Sequence, residues 1–87
     1  MSRIAARGMI TVDVRFFAVL RERAGGERRR VELPGGSTVA ALRAHLRERL
    51  PELPEGYAVA VGRAYAASEH VLEDGDEVAL IPPVSGG

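Results

Sequence analysis

From Ile10 to Phe17 the chain alternates: Ile10, Val12, Val14 and Phe16 share one parity, and Thr11, Asp13, Arg15 and Phe17 share the other. A period of two predicts a strand with one buried face. Phe17 falls on the polar parity. Either the chain bends there and turns the ring inward, or the ring is an exposed aromatic of the kind that marks a partner surface. Ala18 to Ala24 reads as a short helix stopped by Gly25-Gly26. Arg29, Val31 and Leu33 then alternate with Arg28, Arg30 and Glu32, a second strand expected to pair with the first in hairpin fashion. Its consecutive arginines read as a solvated sheet edge, where charge discourages chance pairing, in preference to a phosphate or acidic-partner contact.

Pro34-Gly35-Gly36 is a turn. Ser37 or Thr38 caps the one long helix, in which Val39, Leu42, Leu46 and Leu50 recur at helical spacing and line one face. Arg43, Arg47 and Glu48 take the solvent side. Pro51 ends the helix, because proline disfavours helical geometry at the residue before it. His45 lies beside the apolar stripe with no second ligand at helical spacing, which makes it a boundary or surface residue. Tyr57, Val59 and Val61 form a third strand, Gly62-Arg63 a tight turn, and Ala64 to Ala67 a short fourth strand. Val78 and Leu80 face one way in a last strand, with Ala79 and Ile81 on the other side. Pro82-Pro83 cannot continue a central strand. The first and last strands are the most apolar on a single parity and are expected at the centre. This order predicts an α+β fold: a mixed sheet of about five strands packed on one long helix, with a short second helix.

Eighty-seven residues hold one domain. The expected division is a disordered extension at 1–8 (with Met9 an alternative start), a folded domain at 9–83 and a flexible functional tail at 84–87. Twelve arginines balance twelve acidic residues, so the basic field that nucleic-acid binding needs is absent. The lack of cysteine excludes disulfides, thiolate catalysis and cysteine-based zinc sites. The lack of lysine excludes a standard phosphate-binding loop. Glu73-Asp74-Gly75-Asp76-Glu77 lacks the ligand spacing of a calcium loop and reads as an Asp-Gly turn. Ser37 is spent on a cap or turn, and Ser68 precedes Glu69-His70 among neighbours that do not face one another, so no catalytic dyad emerges. No apolar run approaches the roughly 20 residues of a membrane span, and the opening MSRIAARG makes a poor signal peptide. A cytoplasmic protein without membrane or nucleic-acid partners is expected.

The remaining chemistry is in Pro82-Pro83-Val84-Ser85-Gly86-Gly87. Two prolines stiffen the exit, and two glycines can thread a narrow channel against another protein's backbone. A chain-terminal carboxylate is ionised at neutral pH, with a reference pKa of about 3.5. It becomes attackable by sulfur only after activation, for example as an acyl-adenylate. From the dipeptide alone, a frayed end is the plainer reading.

The wider pattern shifts that balance. The run from Met9 to Gly87 resembles the small, sulfur-carrier subunits of molybdopterin synthase (the MoaD family), which are ubiquitin-like β-grasp proteins. The similarity is carried by Val14-Arg15-Phe16-Phe17-Ala18 with Leu20-Arg21-Glu22, by Thr38-Val39-Ala40-Ala41-Leu42, and by Val59-Ala60-Val61. Leu72-Glu73-Asp74-Gly75-Asp76-Glu77-Val78-Ala79 and the Pro82–Gly87 ending complete it. Gly62 departs from the family's frequent Asn, a harmless change at a turn where both tolerate positive φ.

The resemblance implies a non-catalytic carrier that binds no cofactor of its own. A MoeB-like adenylating enzyme would use ATP and magnesium to activate Gly87, and a sulfur donor would convert it to a thiocarboxylate. The tail would then enter a MoaE-like large subunit of molybdopterin synthase, in a two-plus-two heterotetramer, and deliver sulfur to cyclic pyranopterin monophosphate. On this reading Gly86 and Gly87 form the reacting end. Phe17, Arg21, Tyr65, Ile81, Pro82, Pro83, Val84 and Ser85 face partners. Sulfur carriers for thiamine, for a tungsten cofactor or for amino-acid sulfur, and a non-carrier ubiquitin-like binding module, remain as alternatives.

Overall fold

Each alternating run forms a strand in the computed structural model, which describes residues 8–83. In chain order the elements are β1 (Met9–Phe16), α1 (Val19–Ala24), β2 (Arg28–Pro34), α2 (Val39–Arg49), β3 (Ala58–Val61), β4 (Ala64–Tyr65) and β5 (Glu77–Ile81). The sheet order is β2-β1-β5-β3-β4. Only β1 and β5 run parallel; β1–β2, β5–β3 and β3–β4 are antiparallel. The mixed five-stranded sheet and two helices are the β-grasp arrangement that the resemblance implies. The first and last strands, β1 and β5, expected at the centre from their single-parity apolar patterns, lie side by side inside the sheet.

One face of the sheet and one stripe of α2 make the core. Val12, Val14, Phe16, Val31, Leu33, Val59, Val78 and Leu80 enter it from the strands, and Val39, Leu42, Leu46 and Leu50 enter from α2 and its end. Leu20 of α1 plugs one end and is fully buried. Burial of this kind stabilises by about 1.5–3 kcal/mol per large aliphatic side chain. His45 is half-buried at the stripe's border. The arginines of β2 are exposed on the sheet edge.

The start of α2 is capped on several sides. Thr38, and not Ser37, supplies the side-chain cap: its Oγ1 accepts from the Ala41 N–H at 3.3 Å. Ser37 instead donates its hydroxyl to the Pro34 carbonyl at 2.7 Å. The neighbouring orphan donors of the first turn go to a distant loop, with Val39 N–H reaching His70 O and Ala40 N–H reaching Ser68 O, both at 3.0 Å. This corrects the extent of the fourth strand. The expected Ala64–Ala67 pairs regularly only at Ala64–Tyr65, because the chain beyond is drawn away to satisfy the helix terminus. Thr38 and Val71 then form an isolated bridge.

The acidic segment is a turn built on its own carboxylates. Asp74 Oδ1 accepts from the Thr11 N–H at 2.8 Å, and Asp76 Oδ2 accepts from the Glu73 N–H at 2.9 Å. Gly75 takes the positive φ of +90° that the turn requires. Among the described residues no cluster of His, Asp and Glu is arranged to hold a metal ion.

Candidate functional site

The side of the sheet away from α2 is uncovered. On it the cross-strand register assembles a row that the sequence does not display. Arg15 pairs with Ala79, Ala79 with Ala60, and Ala60 with Tyr65. One pleat further along β5, Ile81 pairs with Ala58. Phe16 pairs with Leu80, so Phe17 follows at the level of Ile81. The result is a floor of small side chains with larger apolar ones around it. Tyr65 is 75% exposed and Phe17 41%. A depression of about 180 Å³ opens between Arg15, Phe17, Ala60, Arg63, Glu77, Val78 and Ala79.

Phe17 is held outward by the backbone that follows it. Ala18 adopts φ 53° and ψ −129°, which reverses the chain sharply into α1. A non-glycine residue there costs on the order of 1–3 kcal/mol locally. The turn lets Leu20 enter the core while Phe17 stays on the open face, so of the two orientations left open by parity the exposed one holds. The Arg15 guanidinium lies 5.7 Å from the centre of the Phe17 ring, within range of a cation–π contact. Across the face, Gly62 and Arg63 both take positive φ, +58° and +77°, the backbone of a tight hairpin turn. That turn places Arg63 at the rim of the depression.

The structure thus brings Phe17, Tyr65 and Ile81 onto one face. It sets Arg21 apart on α1, where its guanidinium is 3.8 Å from Glu27 and both side chains are largely exposed. Pro82 and Pro83 leave the end of β5, half-buried and exposed respectively. Val84, Ser85, Gly86 and Gly87 lie outside the described residues. The sequence reading missed Arg15, Arg63 and the alanine floor. Arg15 shares the parity of Phe17 and could have been flagged on that ground. The alanines become a patch only once β3, β5 and β4 are in register. His45 and Tyr57, whose ionisations are displaced, both lie off this face. Burial, then the positive charges of Arg49 and Arg29, lower the His45 pKa. Burial raises that of Tyr57, against the opposing charge of Arg43.

The face and tail root can be set beside known proteins. The ThiS family model matches residues 14–87. The molybdopterin synthase sulfur carrier subunit of Mycobacterium tuberculosis is 39% identical over 83 residues, spanning 91% of this chain and 100% of that protein. The crystal structure of small archaeal modifier protein 1 of Haloferax volcanii superposes with a TM-score of 0.77 at 29% identity, covering 86% of this chain and 99% of that one. A chain from the complex of subunits 1 and 2 of the molybdopterin-converting factor of Helicobacter pylori gives a TM-score of 0.66 at 31% identity, covering 90% and 100%.

Proposed function

The chain belongs to the ThiS family, and on that footing we infer that it is the sulfur carrier of molybdenum cofactor biosynthesis, acting with the large subunit of molybdopterin synthase. The observation that carries this reading is that the family match runs through the Gly-Gly tail to Gly87, while relatives bearing that function cover nearly the whole chain. The body supports it by what it supplies: an open apolar face beside the strand from which the tail departs, and no catalytic constellation among the described residues. Chemistry would be left to partners and recognition to this chain.

In the proposed cycle the Gly87 carboxylate attacks the α-phosphorus of ATP in a MoeB-like enzyme, with magnesium neutralising the leaving pyrophosphate. Hydrosulfide then displaces AMP and leaves the thiocarboxylate directly; where the donor is a persulfide, its outer sulfur displaces AMP and a donor thiol cleaves the resulting acyl disulfide, releasing the thiocarboxylate and leaving a disulfide on the donor. Gly86 keeps the approach to that carbon free of side chains. The body docks through Phe17, Tyr65, Ile81 and the Pro82-Pro83 root. Val84 and Ser85 span to the large subunit's active site, where sulfur passes to cyclic pyranopterin monophosphate in a two-plus-two assembly. Arg21, whose exposed ion pair with Glu27 is worth little, can exchange Glu27 for a partner carboxylate.

The test is intact-mass spectrometry after incubation with ATP, magnesium, a MoeB-like enzyme and a sulfur source. A gain equal to the difference between sulfur and oxygen, lost again when the large subunit and precursor are added, is the expected result. A chain that acquires sulfur but never passes it to the precursor serves another pathway, such as thiamine or amino-acid sulfur. A chain that never acquires sulfur is a binding module.

A further inference from the structure

The sheet has two edges of unequal character. β4 is two residues long, whereas β2 presents seven. The bonding side of β2 can be assigned. Phe16 N–H donates to Glu27 O at one end of the β1–β2 ladder, and Gly35 N–H donates to Gly8 O at the other. Hydrogen-bonded positions alternate along an antiparallel pair. Arg29, Val31 and Leu33 therefore bond to β1, and Arg28, Arg30 and Glu32 aim their N–H and C=O groups off the sheet. Arg28 has a partial partner in Asp13, at 3.9 Å. Arg30 and Glu32 are exposed, and among the described residues neither forms an ion pair.

We propose that this edge recognises a second copy of the same chain, β2 against β2, antiparallel about a two-fold axis through Val31. Charge selects both occupant and register. Only residues with outward backbone groups can exchange bonds across the seam. With the axis at Val31, Arg30 stands opposite Glu32 of the second copy and Glu32 opposite its Arg30, so both charged pairs are of opposite sign, while Arg28 stands opposite Pro34, which can accept a bond but has no N–H to give. A slip of two residues one way keeps Arg28 opposite Glu32 but sets Arg30 against Arg30 at the axis. A slip the other way sets Glu32 against Glu32 and leaves Arg30 opposite Pro34, with no opposite charge to face. Like charges directly opposite are unfavourable in a sheet. The arginine-rich edge that repels chance strands thus admits one register of itself.

The pairing is isologous and closes on itself. The opposite edge, β4, is too short to continue it. Edge contact covers neither sheet face, so the open face and the tail root stay accessible, and the proposal stands apart from the sulfur-carrier reading. An interface this narrow is weak and concentration-dependent.

Nitrogen-15 NMR and sedimentation of the full chain at rising concentration test it, up to about 1 mM, the affinity of a marginal complex. The rotational correlation time should climb toward that of a dimer. The Arg30 and Glu32 amides should shift and exchange more slowly, while those of Arg29 and Val31, already bonded to β1, should not change. Arg30→Glu and Glu32→Arg each place like charges across the seam and should weaken association by about tenfold or more. An equimolar mixture of the two restores opposite charges and should associate where neither does alone. Circular dichroism confirms that each variant keeps its fold. A wild-type chain that stays monomeric throughout, single variants that associate like wild type, or a mixture no more associated than its components would each overturn the proposal.

Discussion

Phe16 and Phe17 are separated by one step of the pleat, and their exposures are 2% and 41%. Phe16→Ala should destabilise the isolated protein by about 3–5 kcal/mol, the cost of emptying a buried aromatic site. Phe17→Ala should cost well under about 1 kcal/mol in the free chain, as surface changes do. It should weaken binding to the large subunit by on the order of 2 kcal/mol if the ring anchors that contact. Chemical denaturation and calorimetric titration of both variants separate the roles. His45 gives a second single-residue expectation. Burial and the charges of Arg49 and Arg29 hold its pKa below the ordinary 6.5, so the unfolded chain takes up the proton more readily than the folded one. Its contribution is intact above pH 6.5 and declines as pH falls through 6.5 toward the lower folded value. His45→Gln should flatten that part of a stability–pH curve measured by urea denaturation.

At the level of elements, α2 shows how much of a helix can be anchored from outside. The Thr38 hydroxyl holds one orphan donor, and the loop carbonyls of Ser68 and His70 hold two more. Thr38→Ala should therefore cost only about 0.5–1 kcal/mol, the low side of a lost cap, and circular dichroism should show the helix intact. The elements themselves were legible because each run follows one clear period: two for β1 and β5, and near 3.6 for the Val39–Leu50 stripe. The length of the fourth strand was not, since Ser68 to His70 have no local reason to leave the sheet. The carbonyls of Ser68 and His70 are claimed by a helix that begins some thirty residues earlier, roughly a third of the chain away. The orientation of Phe17 was undecided for a similar reason: it depends on the positive φ of Ala18, which an alanine does not advertise.

Across the whole molecule, the functional proposal divides labour between a rigid face and a reactive tail. Appending one residue after Gly87 would move the carboxylate by up to about 3.5 Å, as large as the roughly 3–3.5 Å at which reacting atoms must meet. Sulfur loading, followed by intact mass, should be lost, while the melting temperature stays within a degree or so because the body is untouched. Loading that proceeds on the extended chain without trimming would contradict the assignment of Gly87. The two halves of this site were unequally legible. The tail showed in the sequence because prolines followed by Gly-Gly have a backbone meaning, although its chemistry came only with the family resemblance. The proposed docking face was half visible, through Phe17 and Ile81 on the unburied parity. Its alanine floor depends on Ala58, Ala60 and Ala79 meeting across strands that are distant along the chain.

The parallel pairing of β1 with β5 also bears on how the body answers to force. Asp13 to Phe16 run alongside Glu77 to Leu80 in the same direction, so the start of β1 and the end of β5 lie at opposite ends of one ladder. Tension applied between Met9 and Ile81 pulls these strands past each other and loads the bonds between them together. Tension between Met9 and Pro34, which face each other across the β1–β2 ladder, breaks its bonds one after another. A carrier pulled between its tail and the start of β1 is therefore loaded in shear, and a partner tugging on that handle meets a shear joint instead of a zipper. Single-molecule pulling through residues 9 and 81 should require clearly more force than pulling through residues 9 and 34.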